Sequence, residues 1–165
     1  MPRLTPADAA QNFYAIISRA LSGAALEDYG LSVSHERGDQ ILRELLSLGL
    51  FWAWSALDAG LSDANRDRVW EALMQRVNDA WVSELGLRQQ DLDSYPAELA
   101  QRRRLYGSLA REGGNPTAIA TEAAGFLEAE SIIEPEDRLK LLALMIDLVP
   151  VDELGEPVEG LEITD

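Results

Sequence analysis

The chain has 165 residues with 29 acidic side chains against 14 basic ones, a formal charge of −15 and a pI of about 4.3. This length fits one domain, and 47% apolar residues are too many for a chain disordered throughout. The acidic excess argues against direct nucleic-acid binding, because phosphate contacts need a basic face. Cysteine is absent, which excludes disulfides, thiolate metal sites and a cysteine nucleophile, and there is a single histidine.

Helical periodicity runs along the whole chain, so the sequence predicts an all-α fold. The first helix begins with Thr5 as N-cap and Pro6 at the first helical position, and we expect Gly23 to end it. A connector over residues 24–34 leads to a second helix over about residues 36–59. The second helix is apolar on nearly all sides, so we expect it to lie at the centre of the molecule.

Start and stop signals divide the following residues into four more helices. The third helix begins at Ser62 and ends at Gly86, and the fourth begins within residues 91–96 and ends at Gly113. The fifth begins at Asn115 and Pro116, and the sixth begins at Glu134 and ends at Pro150. The core candidates of the sixth helix are Leu139, Leu142, Met145, Ile146 and Val149. Short loops favour antiparallel neighbours, so we expect one compact bundle of about six helices over residues 1–149.

Acidic residues are concentrated at the C-terminal end. Residues 126–165 contain 12 acids against Arg138 and Lys140, which places −10 of the −15 in this quarter of the chain. From residue 150 onwards there is no base, and we expect Pro157 and two glycines to prevent a regular helix. The sequence therefore predicts an irregular, non-helical acidic tail over residues 150–165.

Two interpretations of this tail are open. It is either a solvated segment that aids solubility, or an interaction segment whose apolar side chains dock while its carboxylates meet a basic partner. The carboxylates proposed for that contact are Glu153, Glu156, Glu159 and Glu162.

Arg102, Arg103 and Arg104 form the one basic cluster of the sequence. Consecutive helical residues are about 100° apart around the axis, so the three cannot all point one way. One interpretation is pairing within the chain, including Glu98 with Arg102 one turn apart. The other is that Arg103 and Arg104 contact an acidic group on a ligand, on a partner or on the chain's own tail.

Trp52 and Trp54 lie two residues apart on the second helix, so their side chains diverge by about 160°. We expect one to face a neighbouring helix and the other a groove or an oligomer partner, where an aromatic anchor serves binding. His35 has no companions at the spacing of a metal site or a nucleophile, and is interpreted as a structural or surface residue. No catalytic, cofactor-binding or metal-binding residue is predicted.

The most hydrophobic window is charge-free for only 13 residues, over residues 45–57, which is too short to span a membrane. The N-terminal residues lack the basic and apolar regions of a secretory signal, so the expected location is the cytoplasm.

These observations favour a non-enzymatic interaction protein (a regulator, chaperone or neutralising partner) that binds a basic protein through its acidic C-terminal quarter. The alternative is a small-ligand-binding or enzymatic domain with a pocket between helices that uses the arginine cluster, a tryptophan or His35. A homodimer through the second helix is compatible with either function.

Overall fold

The computed structural model describes residues 2–21 and 23–165. In this part of the chain six helices have 11 or more residues and two are short. The helices are α1 Pro6–Arg19, α2 Gly23–Asp28, α3 His35–Gly60, α4 Asp63–Ala80, α5 Tyr95–Arg111, α6 Pro116–Ala129, α7 Arg138–Leu148 and α8 Val151–Gly155. Single 3₁₀ turns are Gln89–Asp91, Pro135–Asp137 and Glu156–Val158, and the two short strands are β1 Arg3–Leu4 and β2 Glu162–Ile163. The prediction of an all-α bundle of about six helices is confirmed.

Three of the predicted helix starts coincide with side-chain caps. Thr5, Ser62 and Asn115 each accept a hydrogen bond from the backbone N–H three residues further on. Pro6 and Pro116 occupy the first turn of their helices, where a missing N–H costs nothing. Local sequence therefore sets where these helices begin.

The 26-residue helix α3 lies at the centre of the bundle, as its apolar surface predicts, and packs against α1, α4, α5, α6 and α8. The buried side chains on it include Leu45, Leu46 and Leu50. At Gly49 the helix passes close to α1, because a Cβ there would lie 3.2 Å from Cγ2 of Ile17. The absence of a side chain at this position lets the two helices approach each other.

Two predicted helix ends are wrong. The first helix ends at Arg19, and α2 lies in the predicted connector, where buried Leu26 and Leu31 reach the core. Helix α4 ends at Ala80, well before Gly86. Residues 81–85 form turns that lead to Gly86, which has a φ of +65°, and the buried indole of Trp81 donates a hydrogen bond across them to the Arg88 carbonyl at 2.8 Å.

Residues 150–165 are not the non-helical tail that the sequence predicts. They form α8, one 3₁₀ turn and β2, which pairs in parallel with β1 so that Arg3 lies opposite Glu162. Leu154 is fully buried, and Val158 packs against α3 at Gly60. The prediction was wrong because Pro157 stands in the first turn of a 3₁₀ segment, where no N–H donor is needed. The proline therefore does not prevent α8 from forming in the residues before it.

Candidate functional site

Trp52 and Trp54 face different surroundings, as their two-residue spacing predicts. Trp52 is half-buried, stacks edge-to-face on Phe51 with centroids 4.9 Å apart, and lines a narrow crevice of about 50 Å³ with Ile146. Trp54 stacks edge-to-face on Trp70 of α4 with centroids 5.1 Å apart. The two tryptophans therefore belong to separate parts of the surface.

One face of α7 is apolar and open to solvent. Leu139 is 77% exposed and Ile146 is 46% exposed, and half-buried Leu142 lies between them at helical spacing. The prediction that Leu139 and Ile146 belong to the core is wrong. Helix α7 is apolar on several sides, and the bundle covers only the side that carries Leu141, Leu144 and Met145. We call Leu139, Leu142 and Ile146 the α7 face.

The segment that carries the α7 face has more acids than bases, with Glu134, Glu136, Asp137 and Asp147 against Arg138 and Lys140. The two bases of the C-terminal quarter are already paired, Arg138 with Glu128 at 3.2 Å and Lys140 with Asp137 at 3.2 Å. The hydroxyl of Tyr29 donates to Asp147 on α7 at 2.7 Å. Of the 12 acids in residues 126–165, six have a base within 4.0 Å, and the six without one in the described part of the chain are Glu130, Glu136, Asp147, Asp152, Glu156 and Glu159.

The four tail carboxylates divide into two pairs. Glu153 binds Arg19 at 2.5 Å, and Glu162 binds Arg3 at 2.9 Å, so both carboxylates tie the tail to the start of the chain. Glu156 and Glu159 are exposed and make no such ion pair in the described part of the chain. Within residues 2–21 and 23–165, the basic contacts of the tail come from Arg3, Arg19 and Arg68, and not from the arginine cluster.

Arg102 turns into the core rather than pairing along its own helix. Its Nε lies 3.0 Å from both carboxylate oxygens of buried Glu44 on α3, and Tyr106 donates its hydroxyl hydrogen to the same carboxylate. The expected pair of Glu98 with Arg102 is not formed, because Glu98 accepts from Arg43 at 3.2 Å instead. Sequence spacing could not reveal Glu44 as the partner, since 58 residues separate it from Arg102.

Burial is the largest influence on the pKa values of Glu44, Tyr106 and Arg102. It raises the pKa of Glu44, and the Arg102 guanidinium and Tyr106 hydroxyl offset part of that rise. Burial and the Glu44 charge together raise the pKa of Tyr106, so its hydroxyl keeps its hydrogen and donates it. Desolvation opposes the charge on Arg102, but Glu44 outweighs it and the pKa of Arg102 is raised. These side chains therefore connect α3 to α5 and are inaccessible to a ligand.

Arg103 and Arg104 instead line an open groove of about 850 Å³ between α3 and α5. Its lining also contains Trp54, Asp58 and Arg111, and we call these five residues the arginine groove. The structure therefore brings together three of the predicted contact residues, Trp54, Arg103 and Arg104. The sequence analysis missed Arg111, although its position seven residues after Arg104 already placed both on one side of a helix.

A second cleft of about 750 Å³ lies between the segment after α2 and the start of α3. His35 is 84% exposed at its margin, in agreement with its interpretation as a surface residue, and its Nε2 lies 3.9 Å from Oδ1 of Asp39. The Asp39 side chain is only 4% exposed, and its Oδ2 accepts no hydrogen bond from a described residue. Asp39 was missed because one aspartate on an amphipathic helix carries no sequence signal of burial.

Comparison of the chain with protein-family models, with curated proteins and with solved structures gave no match. Among the helices described, none is both long enough and apolar enough to cross a membrane. Residues 2–21 and 23–165 also hold no group of three or more histidine, aspartate or glutamate side chains placed to bind a metal ion.

Proposed function

We propose that this protein is a cytoplasmic, non-enzymatic interaction protein that binds a basic amphipathic helix of another protein on the α7 face. The observation that carries the proposal is the 77% exposure of Leu139 on a helix of the acidic C-terminal quarter. An apolar face with an acidic surround is the complement of a helix with one apolar and one basic side. Regulator, chaperone and neutralising partner are the roles compatible with such a contact.

The α7 face offers anchoring positions at the spacing of a helix partner. Leu139, Leu142 and Ile146 are arranged along two turns, and Ile146 also borders the crevice beside Trp52. Apolar side chains of the partner would cover this row, and the Trp52 crevice would receive one of them. Lysines and arginines on the flanks of the partner helix would meet carboxylates such as Glu136, and the charge of −15 would steer its approach.

A designed peptide tests this proposal without knowledge of the natural partner. The probe is an amphipathic leucine–lysine helix of about five turns, titrated calorimetrically against the full chain at low and high salt. We expect Leu139→Ser with Ile146→Ser to weaken binding at least about tenfold, because both anchoring side chains are lost. Both residues are exposed, so the variant should keep its fold.

The matched control is Val82→Ser, since Val82 is 51% exposed but lies outside α7. A leucine–lysine peptide of scrambled order controls for charge alone. Equal losses in the Val82 and α7 variants would reject the α7 face as the site, and binding that did not depend on salt would reject the electrostatic part.

A second candidate function, binding of a small cationic ligand, is favoured by Asp39. A buried carboxylate oxygen without a donor is costly, and an ammonium group in the cleft would supply one. Titration with phenylethylamine against neutral phenylethanol tests this, with Asp39→Asn as the variant and exposed Asp93→Asn as the equal-charge control. Equal binding of the two probes would exclude it.

A further inference from the structure

Nearly all basic side chains of this protein are paired with carboxylates, and the exceptions lie in one place. Of the 14 bases, all except Arg103, Arg104 and Arg111 have a carboxylate oxygen within 4.0 Å in the described part of the chain. With 29 acids in the chain, a shortage of partners does not explain this. The three exceptions all lie on α5, and all three line the arginine groove.

Arg104 and Arg111 mark the length of the groove. They are seven residues apart, which is two turns and about 10.5 Å along the axis at 1.5 Å per residue. Both are exposed and free to reach a ligand. Gly107 lies between them and leaves room for Arg111, because a Cβ there would be 3.4 Å from Nη1 of Arg111. The helix therefore presents two exposed cations, one on each side of a residue without a side chain.

Arg103 is held in place by aromatic rings. Its guanidinium carbon lies 4.0 Å from the centroid of Trp54 and 4.8 Å from that of Trp70. Burial lowers the pKa of Arg103, and the nearby Arg66 lowers it further, yet a guanidinium keeps its charge in proteins. Its buried Nε finds no acceptor among the described residues. This cation is thus oriented in advance, and the chain itself does not balance it.

The one acid among the residues that line the groove does not cancel these charges. Asp58 is bound to Arg66 of α4, with Oδ1 2.7 Å from Nη1. Arg66 also contacts Asp63 and Asp67, so the carboxylate of Asp58 belongs to a network of one arginine and three aspartates beside the groove, with a net charge of −2. The residues that line the groove carry three arginines against one aspartate, a net charge of +2 in a strongly acidic molecule.

We propose that the arginine groove binds a small molecule that carries two or more phosphate groups. Guanidinium groups match phosphate oxygens with two parallel hydrogen bonds, and the two-turn span of the three arginines suits more than one phosphate. The volume of about 850 Å³ is that of a small-ligand site. A long polyanion such as nucleic acid is disfavoured, because the remaining surface would repel it. This site is separate from the α7 face and does not depend on the proposed function.

Titration of the full chain with tripolyphosphate and with ATP tests the proposal and distinguishes an inorganic from an organic phosphate source. The variant Arg104→Gln with Arg111→Gln should weaken binding of either probe at least about tenfold, since two charged hydrogen-bonding groups are removed. The matched control is Arg37→Gln with Arg138→Gln, which makes the same charge change outside the groove and should alter affinity less than about twofold. Quenching of tryptophan fluorescence by the probe, from Trp54, should disappear with the groove variant.

Three results would overturn the proposal. The first is no heat or quenching from either phosphate probe at millimolar concentration. The second is an equal loss of affinity in both double variants, which would indicate a general charge effect. The third is tighter binding of a hexaglutamate peptide than of tripolyphosphate, which would make the groove a site for an acidic peptide instead. None of these results bears on the leucine–lysine peptide and the α7 face.

Discussion

Arg102 and Glu44 form a buried ion pair in which one guanidinium Nε lies 3.0 Å from both carboxylate oxygens. The same guanidinium lies 4.4 Å from the ring centroid of Phe126 on α6. Tyr106 supplies a second donor to Glu44 from one turn further along α5. The pair therefore joins three helices at a point where water has almost no access, and its loss should be felt throughout the bundle.

Removing one member of this pair should be strongly destabilising. We expect Arg102→Leu to lower the free energy of unfolding by about 3–5 kcal/mol, because it leaves the Glu44 carboxylate buried with one donor fewer. Urea unfolding followed by circular dichroism measures this. Replacing all three polar groups, with Glu44→Leu, Arg102→Leu and Tyr106→Phe, should cost less than the single change. A triple variant less stable than the single one would contradict this account.

The C-terminal segment should contribute to stability as well as to solubility. We expect Leu154→Ala to cost about 2–5 kcal/mol, since Leu154 is fully buried against the bundle. Deletion of residues 151–165 should lower the melting temperature for the same reason. The control is Glu156→Gln with Glu159→Gln, which changes exposed charges only. An unchanged melting temperature after the deletion would leave the segment with the solubility role alone.

Gly114 should not tolerate a side chain. A Cβ there would lie 2.7 Å from the backbone oxygen of Leu109, so Gly114→Ala should destabilise the protein by more than about 1 kcal/mol. Gly155 is the matched control, because a Cβ at that position meets no atom within 4 Å and the residue lies in α8. Gly155→Ala should be neutral or slightly stabilising. Thermal unfolding of the two variants compares them, and equal destabilisation would refute the steric argument.

The pair of Arg76 with Glu84 should make stability depend on pH. Hydrogen bonds from Arg76 at 2.8 and 2.9 Å lower the pKa of Glu84 below its ordinary value of 4.5. A carboxyl whose pKa is lower in the folded state stabilises the fold above the unfolded value and stops doing so as the pH falls through the folded value.

The variant Glu84→Gln should therefore melt below the wild type at neutral pH and approach it in acid. Melting temperatures recorded from about pH 7 down to about pH 3 would show this convergence. Glu71→Gln, at an exposed position on α4, controls for the loss of one negative charge. A difference between Glu84→Gln and wild type that persisted in acid would show that the ion pair is not its cause.

Three helix starts and the central helix were predictable because their causes are local. Thr5, Ser62 and Asn115 are caps that act on an N–H three residues away, and the apolar surface of α3 is visible in its own sequence. Helix ends were less predictable, since the apolar spacing of α4 continues to Leu85 although the helix itself ends at Ala80.

The candidate sites were predictable only in part. The divergence of Trp52 from Trp54 follows from helical geometry, and so does the separation of Arg102 from its neighbours. The partner of Arg102 was not predictable, because Glu44 lies 58 residues away and is one of many acids. The exposure of Leu139 was hidden for a similar reason, since an apolar residue on an apolar helix gives no sign of which side the bundle leaves open.

The sequence by itself determined the fold class, the capped starts of α1, α4 and α6, the central place of α3 and the position of the acidic quarter. Each of these depends on spacing, capping or composition, which act over a few residues or need no distances at all. The tertiary structure alone decided that the tail docks through Leu154, that α7 leaves Leu139 uncovered, and that Arg103, Arg104 and Arg111 have no carboxylate partner in the described chain. These features depend on which distant segments meet, and long-range distances are what folding adds to a sequence.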